Sequence, residues 1–384
     1  MNDLTHSLFV ISRNNLLACR IAFFLSGVAM GAWAPLVPFA RERAGIGDGE
    51  VGLLLLCLGS GSMCMMPFVA RLVSKVGCRA TMTTAVGAAI LCLLALSVAS
   101  QFHWLVVFLL CFGACMGTAD VTMNLQGSMV ERGLGRTMMS GFHGLFSVGN
   151  IFSALLVSVL LGIGLSPLSA VAVLGSVVAA LLVAFGRHML AYGEGAGAPM
   201  FTRPTRYVCL VGILCLIAFL VEGSMLDWSA VFLTTVRGMD ISQAGIGYAL
   251  FSVTMAVGRL GGDWLVPRLG ERTVLVGGSA VAMFGMLISV LVDSQWLTLA
   301  GFVLVGSGIA NMVPVYCSAV GRQQVMPVSQ ALSTVNAIGY LGILMGPAAI
   351  GFIAHLSSLS YALLITAGLL VFVALTSATV VRRG

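Results

Sequence analysis

The chain has 384 residues, of which 59% are hydrophobic and only 8% charged, whereas a soluble globular chain is roughly a quarter charged. So few charges cannot clothe a water-facing surface, which excludes an ordinary soluble fold. The formal charge of +6 would suit a nucleic acid or an acidic partner if it were clustered, but it is spread over short turns between apolar blocks.

Those blocks are about 20 residues long, the length of helix that crosses ~30 Å of hydrocarbon. In lipid each must satisfy its own backbone, so each is predicted to be a helix. The first, at 16–40, is longer than a signal-peptide core and runs through Trp33 and Pro38 with no evident cleavage site, so it is read as a retained helix. Helices 2 and 3 are expected at 51–70 and 80–100, separated by the basic turn of Lys75, Gly77 and Arg79. Helix 4, at 104–128, places Gly113, Gly117, Asp120 and Asn124 on one stripe by their i, i+4, i+7, i+11 spacing. Helix 5, at 138–161, brings His143, Ser147 and Asn150 to one face, and helix 6 follows at 167–186.

The stretch 191–207 (AYGEGAGAPMFTRPTRY) is the longest polar interruption and is read as a cytoplasmic linker. It divides a first six-helix bundle, 1–190, from a second, 208–384. Helix 7, at 208–234, carries Glu222 about halfway across and Asp227 roughly 140° further round. Helix 8, at 245–266, leads into a second basic turn with Arg268, Gly270 and Arg272, and helix 9 lies at 273–292. Helices 10 and 11, at 297–320 and 329–353, offer Ser307, Asn311, Ser318, Asn336 and Tyr340, and helix 12 closes the chain at 361–380. The fold expected is thus an all-α integral membrane protein of twelve transmembrane helices, arranged as two pseudo-symmetric six-helix bundles.

Placing both termini in the cytoplasm puts all but three of the 19 basic residues inside, Arg259 among them at an inner helix end. Arg41, Arg43 and Arg237 are the exceptions, and the bias fixes the orientation by the positive-inside rule. The ten cysteines lie in or beside apolar spans without a CxxC pair, as small packing residues do. No GxxxxGK[ST] phosphate loop, metal-ligand cluster or extramembrane catalytic domain is visible, so no enzyme activity, cofactor or metal is expected.

An internal repeat supports the division. A shift of 193 positions takes the first basic turn onto the second, Gly113 to Gly306, His143 to Asn336 and Gly149 to Gly342. Trp33 and Trp228 also stand at matched positions. Parallel repeats of six helices that rock about a midplane site are the layout of the major facilitator superfamily, and the two basic turns resemble that family's cytoplasmic signature. Ala70 and Ser74 stand where its Gly and Asp would be, and Asp263 and Pro267 stand there in the second copy. The resemblance implies a latch for the inward-closed state made by Lys75, Gly77, Arg79, Asp263, Arg268, Gly270 and Arg272. A basic loop that only sets topology is the alternative.

Helices 4 and 5 resemble the fucose permease group of proton symporters, through Asp120 and Asn124 and through the opening run from Phe23 to Ala29. The run Asp120 to Gly127, followed by Glu131 and His143-Gly144, is similar to a bacterial subgroup of rhizopine permease-like inner-membrane proteins. An acidic residue on helix 1 of the symporters is replaced near Ala34, so a two-carboxylate scheme does not transfer.

Intramembrane ionisable groups are functional candidates by default. Away from bulk water the charged form of Asp120 is disfavoured, which suits a proton-binding site; pairing with a neighbouring helix is the alternative. Glu222 and His143 are the other expected proton-coupling groups, and an interhelical hydrogen bond is the alternative for His143. Asn124, Asn150, Asp227, Asn311, Asn336 and Tyr340 are the expected solute ligands. Trp33 and Trp228 suit stacking on a sugar ring or an outer gate, with interfacial or core packing as the alternative.

The reading is a proton-coupled carrier of a small polar organic solute, sugar- or polyol-like, monomeric in the bacterial inner membrane, with no nucleic-acid partner. Amides, hydroxyls and tryptophans suit a neutral ligand, and a phosphate ester would want basic residues mid-membrane, where none is expected. Proton-driven efflux of an amphipathic compound, with the 21 Met and 20 Phe lining the pocket, and a non-transporting receptor or scaffold are the competing readings.

Overall fold

The computed structural model describes residues 11–193, 203–240 and 243–381, with Asp48 and Gly49 described by backbone only. Most of the expected linker, and Arg382 and Arg383, lie outside the described residues. Every long regular element among the described residues is an α-helix. The chain divides into two compact units, Met1–Met200 with Pro327–Ser329, and Phe201–Met326 with Gln330–Gly384.

In the first unit α1 spans Arg13–Gly31 and α2 spans Val37–Ala44. The expected first helix is therefore two helices joined by a short 3-10 turn, because Pro35 and Pro38 lack the N–H that a continuous helix needs. Ser12 starts α1 by accepting from the Asn15 amide at 3.1 Å. Next, α3 runs Asp48–Leu96 and is broken at Gly77, where φ 81° and ψ 166° are non-helical, into two helical segments where helices 2 and 3 are expected. Its 49 residues would extend ~74 Å if straight, enough for two crossings of a ~30 Å core. Then come α4 (Phe102–Leu134), α5 (Met139–Gly162) and α6 (Pro167–Phe185).

The second unit contains α7 (Arg206–Thr235), α8 (Gly245–Leu269), α9 (Glu271–Leu291), α10 (Gln295–Ile309) and α11 (Met312–Arg322). The helices α12 (Val328–Leu356) and α13 (Leu359–Val381) follow. Among the described residues, ten helical stretches are long and apolar enough to cross a membrane. Although α8 is long enough at 25 residues, Arg259, Asp263 and Arg268 make it more polar than those ten. Long apolar side chains such as Leu91, Leu155, Val183, Phe352 and Leu375 are exposed on the helices, as lipid-facing residues are.

Within each unit the repeat is visible as the same close helix contacts. A Cβ on Gly113 of α4 would collide with the Leu58 carbonyl of α3, and one on Gly306 of α10 would meet that of Phe251 of α8. Leu58 and Phe251 are themselves 193 residues apart. Likewise Gly149 of α5 lies against Phe24 of α1, and Gly342 of α12 against Leu216 of α7. Small residues let helices approach to backbone contact, where dispersion and polar contacts hold them in lipid. The two basic turns also share one backbone shape, with φ 81° and ψ 166° at Gly77 and φ 79° and ψ 146° at Gly270. That positive φ is what requires glycine there.

Two of the three exceptions to the charge bias have a structural reason. Arg43 donates to the carbonyls of Leu96 at 2.7 Å and Ala99 at 2.8 Å, at the end of α3 opposite Gly77. Arg237 donates to the carbonyls of Ser289 and Val290 at 2.8 Å, at the corresponding end of α9, and to Thr298 Oγ1 at 3.0 Å. Leu96 and Ser289 are again 193 apart. Both arginines satisfy the orphan carbonyls of a helix C-terminus and complement its dipole.

Gly149→Val and Gly342→Val should each destabilise the purified protein by about 1–3 kcal/mol, measured as thermal unfolding in detergent. Gly162→Val, where nothing lies within 4 Å of an added Cβ, should change it by less than about 1 kcal/mol. Arg43→Ala and Arg237→Ala should each cost about 1–3 kcal/mol by removing these donors from helix-terminal carbonyls.

Candidate functional site

In the first unit the stripe on α4 divides into two parts. Its upper half is a packing seam: Gly113 and Gly117 lie on α3, whose Ser62 hydroxyl donates to the Gly113 carbonyl at 2.7 Å. One to two turns further on, the Asn124 amide donates to the Asp120 carbonyl oxygen at 3.0 Å and, at 3.4 Å, to Asp120 Oδ1. Asp120 is half-buried and Asn124 fully buried, with its own Oδ1 left without a partner. The helix spacing therefore does bring carboxylate and amide together. His143 is buried on α5, where Nδ1 meets the Met139 carbonyl at 2.9 Å and the ring lies 5.3 Å from Phe23 of α1. Asn150 is half-buried, and its backbone forms the seam against Gly27 and Gly31 of α1. Trp33 precedes the 3-10 turn and is 5% exposed, with Nε1 buried and unpartnered.

In the second unit Glu222 is one half of an ion pair with Arg259 of α8, Oε2 to Nη2 at 3.1 Å. Arg259 lies near the middle of α8, with 7% of its side chain exposed. This corrects the expectation that Arg259 marks an inner helix end and that no basic residue lies mid-membrane. Its position was legible by counting: nine residues before Arg268, at ~1.5 Å each, put it more than 13 Å up the helix. Arg259 Nε also donates to the Ala310 carbonyl at 3.3 Å.

That carbonyl is available because the expected helix 10 is broken into α10 and α11 at Ala310 and Asn311. Pro314 stands four residues after Ala310 and has no N–H to donate to it. Asn311 begins α11, and its Nδ2 donates to the Gly258 carbonyl at 3.0 Å, while its Oδ1 is buried without a partner. Asp227 is exposed. Trp228 is half-buried against Gly351 of α12, its Nε1 unpartnered. Asn336 is buried and Tyr340 half-buried, the latter edge-on to Phe219 at 6.1 Å.

Of the expected latch, Arg79 Nε donates to the Met189 carbonyl at 3.2 Å, and Lys75 and Arg272 are exposed. Arg268 lies over the Trp264 ring of its own helix at 3.9 Å, and Asp263 is half-buried. Two further contacts were missed in sequence. Glu271, beside Gly270, receives two hydrogen bonds from Arg322 at 2.7 and 2.8 Å. Glu131, at the end of α4, accepts from the Met138 and Met139 amides at 2.7 and 3.0 Å, where Gln323 does the same for Val325 and Met326. Glu131 and Gln323 are 192 apart, so the repeat was the signal.

With this geometry described, the likeness to known proteins is informative. The family model of the Major Facilitator Superfamily matches residues 4–131. An uncharacterized MFS-type transporter of Yersinia pestis is 50% identical over 364 residues, 94% of this chain and 95% of that one. The membrane protein MosC of Rhizobium meliloti is 28% identical, covering 94% of this chain and 88% of its own. The chain superposes on the Escherichia coli fucose:proton symporter FucP with a TM-score of 0.75 at 17% identity, covering 98% and 99% of the two chains. The chain belongs to the major facilitator superfamily. It is a multi-pass membrane protein and a secondary transporter of small solutes, resembling the fucose permease group, and not an enzyme.

Breaking this partly buried ion pair from one side weakens the compensation of the charge that remains. Glu222→Gln or Arg259→Gln alone should therefore destabilise the protein by about 1–3 kcal/mol. The double variant Glu222→Gln with Arg259→Gln should recover most of that in the same thermal measurement.

Proposed function

We propose that the protein moves a small polar organic solute, sugar- or polyol-like, by alternating access coupled to protons through Asp120. The observation that carries this reading is the Asp120–Asn124 pair inside a membrane helix, a carboxylate held beside an amide and away from the helix ends. A carboxyl group in such a place is costly when charged, which marks it as a functional candidate. Protonation neutralises it during the crossing, and deprotonation on the other side resets it. His143, buried on the next helix, is the second candidate in the proton path.

The solute class follows from the polar groups in the spans. Asn124, Asn150, Asn311, Asn336, Tyr340, Trp33, Asp227 and Trp228 offer amides, a phenol, a carboxylate and indoles, a set that suits hydroxyl-rich neutral ligands. The fucose:proton symporter with the same fold supports both the sugar class and the coupling ion. Twelve crossings follow if α3 crosses twice, turning at Gly77, and α8 crosses despite its charges. The corresponding organisation is two bundles, 1–190 and 208–384, joined by a cytoplasmic linker at 191–207, in a monomer in the inner membrane with both termini inside. The turns around Lys75, Gly77 and Arg79 and around Asp263, Arg268, Gly270 and Arg272 then act as the cytoplasmic latch.

The test is uptake into proteoliposomes under an imposed pH gradient, with sorbitol, xylitol, D-glucose, L-fucose and a lipophilic cation as candidate solutes. The wild type should accumulate a polyol or sugar. Asp120→Asn should reduce gradient-driven accumulation at least tenfold while solute exchange without a gradient continues. Accumulation of the lipophilic cation alone, or full accumulation by Asp120→Asn, would refute the reading.

A further inference from the structure

The second unit contains a polar cluster that the sequence reading did not assemble. Pro314 removes the amide that would otherwise bond the Ala310 carbonyl, and α10 ends there. The departure from helical geometry is confined to Asn311, with φ −101° and ψ 2°, and a backbone group freed at membrane depth has to be satisfied by a neighbouring group. Arg259 occupies the break from α8, Nε on the Ala310 carbonyl at 3.3 Å and Nη2 on Glu222 Oε2 at 3.1 Å. Asn311, the next residue in the break, is tied back to Gly258, the neighbour of Arg259, at 3.0 Å. Three helices thus converge through one guanidinium.

We propose that Glu222 and Asn311, held in place by Arg259, form a subsite that accepts hydrogen bonds from adjacent hydroxyl groups of the solute, with Glu222 a solute contact and not a proton carrier. The proposal rests on the sugar- or polyol-transport reading above. Its first support is the donor and acceptor count. Glu222 is more exposed than its partner, 26% of the side chain against 7%, and Arg259 engages one of its two oxygens. The Asn311 amide spends its N–H₂ on Gly258 and leaves Oδ1 buried and unpartnered. A carboxylate and an amide oxygen are acceptors, so the matching ligand presents donors, and neighbouring hydroxyls do so in pairs.

The second support is charge. The more exposed member of the pair is the Glu222 carboxylate, so an anionic solute would meet like charge there, while a neutral polyol meets no such penalty. The third is preorganisation. Glu222 Oε2 is already held in the ion pair at 3.1 Å, and Tyr248 and Asp263 of α8 and Asp227 of α7 are further ionisable groups on the same two helices. Arg259 acts as a positioning residue: it fixes the carboxylate before the solute arrives, which lowers the entropy lost on binding.

The experiment is solute exchange in proteoliposomes without a pH gradient, using sorbitol, xylitol, D-glucose, L-fucose and gluconate, with thermal unfolding of each variant as the folding control. For the neutral solute that the wild type exchanges, Glu222→Gln and Asn311→Ala should each raise KM about tenfold or more with a smaller change in maximal rate. The double variant Glu222→Gln with Arg259→Gln should regain thermal stability but not KM, and the pH dependence of its residual transport should match the wild type. Recovery of KM together with stability would make the pair a structural staple only and overturn the subsite. So would unchanged KM in Glu222→Gln with loss of gradient-driven accumulation, or preference for gluconate. Exchange of none of the neutral solutes by the wild type would instead overturn the transport reading on which the subsite rests.

Discussion

Hydrocarbon offers a backbone no hydrogen bond, and that constraint organises this molecule. Wherever the chain runs as unbroken helix the backbone satisfies itself, and side chains are left to set how closely helices approach. At several of the places where a helix stops, a side chain supplies what water would supply elsewhere. Arg43 and Arg237 meet the last carbonyls of α3 and α9, Glu131 and Gln323 meet the amides of two turns, and Arg259 meets the carbonyl freed by Pro314. The few charges in the chain are therefore concentrated at interruptions, and the interruption deepest in a span is the one that gathers chemistry around it.

The same constraint explains the division of labour proposed between the two intramembrane carboxylates. Asp120 is joined to an amide on its own helix, away from the helix ends. Glu222 is joined to a buried arginine that also holds the carbonyl at the break between α10 and α11. In the proposed scheme Asp120 takes the proton and Glu222 receives the solute. Each unit contributes one half of the account, a proton group from the first and a hydroxyl acceptor from the second.

Much of the architecture was legible in sequence, because its signals are local. Glycines at seams cannot be exchanged for larger residues without collision, so Gly113 with Gly306 and Gly149 with Gly342 kept their register and revealed the repeat. The stripe through Asp120 and Asn124 needed only helix geometry. What escaped were features set by partners far along the chain. Two prolines split the first block into α1 and α2 although its hydropathy is continuous. Charge bias placed Arg259 at an inner helix end, but bias reports topology and not depth, and partners distant in sequence, Glu222 and the Ala310 carbonyl, help a guanidinium to be tolerated there. Pro314 looked like one of several weak helix-bending signals until the carbonyl it frees was seen to have a donor.

The division between the two carboxylates is most directly tested by infrared difference spectroscopy of the protein in lipid across a pH titration. The account predicts a protonated-carboxyl C=O band that grows as pH falls, disappears in Asp120→Asn and persists in Glu222→Gln. A band that survives Asp120→Asn and is lost in Glu222→Gln would contradict it.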